Sequence, residues 1–107
     1  MSMAPNAEVL PISALVGYQN DAIVSRQIAK AAGGSVTLFA FDEGQELSEH
    51  TAPFEALVHE LDGKAEVRIS GQAFVLQPGE AILMPANEPH ALRAVKRFKM
   101  LLTMLKA

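Results

Sequence analysis

An all-β fold is what two features of this 107-residue chain predict. Short apolar segments are punctuated by turn signals at Gly33-Gly34, Asp62-Gly63, Ser70-Gly71 and Pro78-Gly79, the pattern of antiparallel strands joined by tight turns. Glycine suits such turns because it adopts positive φ without steric cost. The second feature is alternation. Between Lys64 and Ser70, Ala65, Val67 and Ile69 share one parity while Lys64, Glu66 and Arg68 share the other, as expected of a strand with one buried face.

In chain order, the first periodic segment is ambiguous. Ile23, Val24, Gln27, Ile28 and Ala31 recur at helical spacing. Val36 to Phe41 is apolar at both parities, so this strand is expected to pack inward on the core and outward on something else. The alternating strand at 64–70 follows. The tail then presents Ala91, Ala94, Val95, Phe98, Leu101, Leu102 and Leu105 in a run free of proline and glycine, and periodicity alone reads it as a helix.

Bulk properties exclude several function classes. A chain of this length fits one domain, 1–107, and can bury roughly two-thirds of its unfolded surface, enough for a single core. Half of its residues are hydrophobic and charges of both signs are spread along it, which argues against disorder. Net charge is −3 and the densest basic stretch is Lys96, Arg97 and Lys99, too little for a nucleic-acid face. With no cysteine, neither a disulfide framework nor a thiolate nucleophile is available. No stretch approaches the ~20 apolar residues that cross a bilayer, and the first nine residues lack a signal peptide's basic start and apolar run. A cytoplasmic protein without nucleic-acid or membrane partners is the expectation.

The chemistry-bearing residues lie in two patches. The first runs from Gly44 through His50, Ala52 and Ala56 to Gly63; the second runs from Gly79 through Pro85 and Asn87 to His90 and Ala94. Their spacings resemble the paired motifs of the cupin superfamily over about residues 36–105. Gly44, His50, Gly63, Gly79, Pro85 and His90 stand in register with those motifs. Four positions depart: Ala52 stands for the second histidine, Ala56 for the glutamate, Asn87 for a glycine and Ala94 for an asparagine. The resemblance implies a double-stranded β-helix barrel of the RmlC-like jelly-roll type with about ten strands. It also places strands near 90–95 and 98–105, overriding the helical periodicity there.

In such a barrel, side chains two apart on a strand point to one interior. The resemblance therefore implies a pocket formed by His50, Ala52, Ala56, Met84, His90 and Met100, with Met104 as a further candidate because thioethers adapt to irregular small ligands. Ordinary core filling is the alternative for the methionines. His50 and His90 are the implied metal ligands. One divalent transition metal (Zn, Fe, Mn or Ni) is implied, weakly held or absent, because two imidazoles need further donors and outer-shell support. His59 has outward parity. Glu55 would come inward only through a register shift at Pro53, and Glu49 is out of phase; Gln45 or water are the remaining donors. Pro85 and Pro89 shape the entry to the His90 strand. Tyr18, the only tyrosine, lies too far upstream to pair with a histidine as an acid and base.

Two functions follow from the resemblance. One is a barrel that holds a small apolar or weakly acidic metabolite on its histidines; the replacement of two ligand positions by alanine favours it, because a widened cavity suits a ligand more than a tightly held ion. The other is a metal-dependent enzyme of the dioxygenase, isomerase or decarboxylase kind. A transcriptional sensor is disfavoured, since the chain has no DNA-binding segment. Surplus apolar surface on the strands at 36–41 and 98–105 predicts a homodimer.

Overall fold

The computed structural model describes residues 6–106; residues 1–5 and 107 of the expected 1–107 domain lie outside the described residues. A short 3-10 turn at Ile12–Ala14 precedes nine strands: β1 (Ile23–Ala31), β2 (Gly34–Phe41), β3 (Glu46–His50), β4 (Glu55–Asp62), β5 (Ala65–Ile69), β6 (Gln72–Leu76), β7 (Ala81–Met84), β8 (His90–Ala94) and β9 (Phe98–Leu105). They form a five-stranded sheet in the order β1-β2-β9-β4-β7 and a four-stranded sheet in the order β3-β8-β5-β6. Every pairing is antiparallel. Two antiparallel sheets built from non-consecutive neighbours are the expected jelly roll, with nine described strands against about ten anticipated. Among the described residues no helix is long and apolar enough to cross a membrane.

The core lies between the sheets. Alternate residues of each strand point into it: Ala56 and Val58 from β4, Ala65 and Val67 from β5, Leu92 and Ala94 from β8, and Phe98 and Met100 from β9. Phe41 and Phe98, opposite each other in the β2–β9 ladder, stack with ring centroids 4.5 Å apart. The alternating strand behaves as its pattern requires. Ala65 and Val67 are wholly buried and Ile69 packs at the core margin, while Arg68 turns outward to pair with Glu66 at 3.0 Å.

Helical spacing misreads 23–31. These residues form β1, whose Ile23 packs on the main core while Val24 and Ile28 pack on the opposite face of the sheet. A strand apolar on both faces and interrupted by a bulge between Gln27 and Ala29 mimics the i, i+1, i+4, i+5 pattern of a helix. The tail resolves as β8 and β9, as the resemblance expects. Its false helical period has the same origin, with Met100 facing the core and Leu101 the outer face.

The outer face of β2 is covered by the chain itself. Leu38 and Ala40 are fully buried beneath Val16, with Ile12, Leu15 and Tyr18 packed around them. Residues 12–18 thus form a strap across the sheet and cover part of its outer apolar surface. Polar contacts hold it: the Tyr18 hydroxyl donates to Asp62 at 2.6 Å, and the Lys99 ammonium donates to the Ser13 carbonyl at 2.5 Å. Beyond the strap, Leu57, Leu83 and Leu105 of the same sheet stay exposed. The β4–β5 turn needs glycine for a structural reason, because at Gly63 φ is +80° and a Cβ would collide with the Arg97 carbonyl.

Candidate functional site

β3 and β8 run side by side, and their ladder places His50 opposite His90. His90 shares the inward parity of Leu92 on β8, whereas on β3 it is the register shift between Leu47 and His50 that brings His50 to the inward side of Leu47, so both imidazoles face the space between the sheets. Their Nε2 atoms lie 3.1 Å apart, with the rings edge to face at 4.4 Å between centroids. His90 is buried, whereas His50 lies at the solvent-facing end.

The outer nitrogens settle the protonation pattern. His50 Nδ1 lies 2.8 Å from the Ser48 carbonyl oxygen, and His90 Nδ1 lies 3.2 Å from that of Glu88. A carbonyl oxygen can only accept, so both Nδ1 atoms carry the proton and donate. In the neutral rings both Nε2 atoms are then bare lone pairs, facing each other at 3.1 Å. Such an arrangement calls for a cation between them, either a proton or a metal ion. Burial lowers the pKa of His90; the neighbouring His50 lowers it further, and the Glu88 carbonyl partly opposes. His90 is therefore short of the positive charge that this geometry asks for.

All six residues expected around the pocket line one cavity: His50, Ala52, Ala56, Met84, His90 and Met100, with Met104 beside them. Leu47, Phe54, Leu92 and Leu102 complete the lining, and sequence reasoning missed these four because leucine and phenylalanine at inward parity look like any core residue. The cavity holds about 60 Å³, and its only titratable groups are the two imidazoles.

The proposed supplementary ligands stay away. Glu49 and Glu55 are exposed, and His59 sits on the outer face of β4 opposite Leu101 and Ala81, as its parity requires. Among the described residues no three His, Cys, Asp or Glu side chains are grouped as a metal site. The histidine pair itself fits an ion, since two nitrogens 3.1 Å apart can occupy adjacent positions at about 2.0–2.1 Å from one centre. The remaining positions would fall to water or ligand, because Ala52 and Ala56 have no donors. Tyr18 is remote, engaged with Asp62 in the strap.

One buried acid is absent from the sequence-derived site. Glu60 follows Ala56 and Val58 at the same inward parity of β4 and has no exposed surface, and neither of its carboxylate oxygens has a hydrogen-bond partner. Burial pushes its pKa up to about 7, Asp62 and Glu80 add to the rise, and the nearby Ala65 amide opposes it. Glu60 lies four residues, roughly 13 Å along the strand, from Ala56, and opposite the cavity-lining Met100 in the β4–β9 ladder. Parity alone could have revealed it.

With this geometry in view, comparison with known proteins is consistent throughout. The Cupin domain family matches residues 37–104, most of the chain, and the protein belongs to that family. A conserved protein of unknown function from Streptococcus pyogenes is 37% identical and superposes with a TM-score of 0.91, covering 100% of this chain and 96% of its own. A cupin superfamily protein from Desulfitobacterium hafniense is 28% identical, with a TM-score of 0.90 and coverage of 97% and 95%. An RmlC-like cupin from Shewanella frigidimarina shares the fold at 18% identity, with a TM-score of 0.76 over 79% of this chain and 77% of that one. No curated protein matches the chain in sequence.

Proposed function

We propose that this cupin binds a small, weakly acidic molecule with an apolar body, holding its acidic head on His50 and His90. The facing of two Nε2 lone pairs at 3.1 Å, at the polar end of an otherwise apolar cavity, carries this reading. At neutral pH the acid arrives as its carboxylate, and the histidine pair takes up a proton from solvent as the ligand binds, which supplies the missing cation. The carboxylate then lies beside the protonated pair, where the low dielectric of the cavity strengthens the attraction. Ala52 and Ala56 then serve the ligand by leaving room where a metal cupin would place donors.

Calorimetric titration with propionate at pH 7.5, repeated in buffers of different ionisation enthalpy, tests this. Binding is expected to take up about one proton per pocket, and the affinity to fall as pH rises. Binding without proton uptake, or unaffected by pH, would contradict it.

The same lone pairs support a second reading, a metal-dependent enzyme in which His50 and His90 hold a divalent Zn, Fe, Mn or Ni ion. When bound, such an ion supplies Lewis-acid chemistry and open positions for substrate. Near-stoichiometric metal in untagged protein purified without added metal would favour this second reading over the first. Leu57, Leu83 and Leu105, exposed together on the outer sheet face, are the surface at which a homodimer would form; sedimentation at the 11.5 kDa of the monomer at micromolar concentration would exclude it.

A further inference from the structure

Phe54 stands between two cavities. On one side is the histidine cavity of about 60 Å³. On the other is a surface recess of about 230 Å³ formed by Pro53, Glu55, Ala86, Leu105 and Lys106. Among the described residues Phe54 is the one side chain that lines both. It belongs to the loop between β3 and β4, and this loop is pinned to the loop after β7 by a 2.8 Å hydrogen bond from the Asn87 amide to the Ala52 carbonyl. The Lys106 ammonium lies 5.6 Å from the centre of the Phe54 ring on the recess side, so the ring is held from outside as well as by its loop.

The volumes give the ring a consequence. A water needs about 10–15 Å³ of such space, so the inner cavity holds roughly four to six non-hydrogen atoms. A carboxylate with one or two carbons beyond it fits; a longer chain does not. Ligand sites for ordinary metabolites start near ~300 Å³, a size this pocket reaches only if the recess is joined to it.

We propose that Phe54 sets the length of ligand the histidine pocket accepts, restricting it to short-chain monocarboxylic acids by walling the cavity off from the recess beneath Lys106. The proposal deepens the reading of the pocket as an acid-binding site and rests on it. The head of the ligand meets the histidines, and its chain points along the cavity toward the Phe54 ring. With the ring removed, additional methylenes would run out over Pro53, Ala86 and Leu105, each buried methylene being worth roughly a fourfold gain in affinity. Glu55 and Lys106 at the rim oppose each other in charge, so the recess selects for an apolar chain rather than a second charged group.

Calorimetric titration of wild type, Phe54→Ala, Phe54→Leu and Phe54→Trp with propionate and octanoate tests the proposal. Wild type is expected to bind propionate in preference to octanoate. Phe54→Ala is expected to raise the octanoate-to-propionate affinity ratio at least tenfold over wild type, and Phe54→Trp to weaken propionate. Phe54→Leu, which keeps an apolar side chain on the loop, is expected to fall between and serves should the alanine variant fail to fold. An octanoate-to-propionate ratio that is the same in wild type and the folded variants would overturn the role of Phe54 while leaving the acid site standing. Failure of every protein to bind either acid would overturn the acid site, and this proposal with it.

Discussion

Glu60 faces Met100 across the β4–β9 ladder, so a carboxyl group without a hydrogen-bond partner is set against a thioether inside the barrel. Because its folded pKa is near 7 and its unfolded value near ~4.3, the unfolded chain releases this proton first as pH rises. Stability contributed by the protonated group is therefore complete below about pH 4.5 and is lost progressively up to about pH 7. The loss is on the order of 2 kcal/mol.

Thermal unfolding of wild type and Glu60→Gln between pH 5 and 8 checks this. The wild-type midpoint is expected to fall by roughly 10 °C relative to the variant across that range. Parallel profiles would show that Glu60 is not the titrating group.

The register of β5 yields a paired prediction. Val67 is wholly buried between the sheets, while Arg68 is exposed and joined only to Glu66. Val67→Asp places an unpaired charge in the core and is expected to abolish folding; Arg68→Asp is expected to cost under ~1 kcal/mol. Urea unfolding followed by circular dichroism distinguishes them, and equal effects would contradict the register.

How much of this was legible in the sequence depended on whether a residue packs on one face or two. Ala65, Val67 and Ile69 alternate because the outer side of β5 meets water, so their burial could be read directly. β1, β2 and β9 carry apolar side chains on both faces because the strap at 12–18 covers part of the outer side. Period-two alternation vanishes there, and Ile23 to Ala31 takes on a helical appearance. The strap itself carries no periodic signal, and its role depends on long-range contacts such as that of Tyr18 with Asp62. In the pocket, His50, His90 and the two alanines were legible from motif spacing. The lone-pair confrontation was not, since it arises from the carbonyls of Ser48 and Glu88 fixing both rings. Phe54 was hidden for another reason: nothing local distinguishes a wall between two cavities from a core aromatic.

Whether His50 and His90 act as one unit is the central claim, and a mutant cycle measures it most directly. Propionate titrations of His50→Ala, His90→Ala, the double variant and His59→Ala are compared with wild type. Each pocket substitution alone is expected to weaken binding at least tenfold, the double variant to lose little more than either single one, and His59→Ala to bind as wild type does, because the pair shares one proton and His59 faces outward. Strictly additive losses at His50 and His90, or a larger loss at His59 than at His90, would contradict the account.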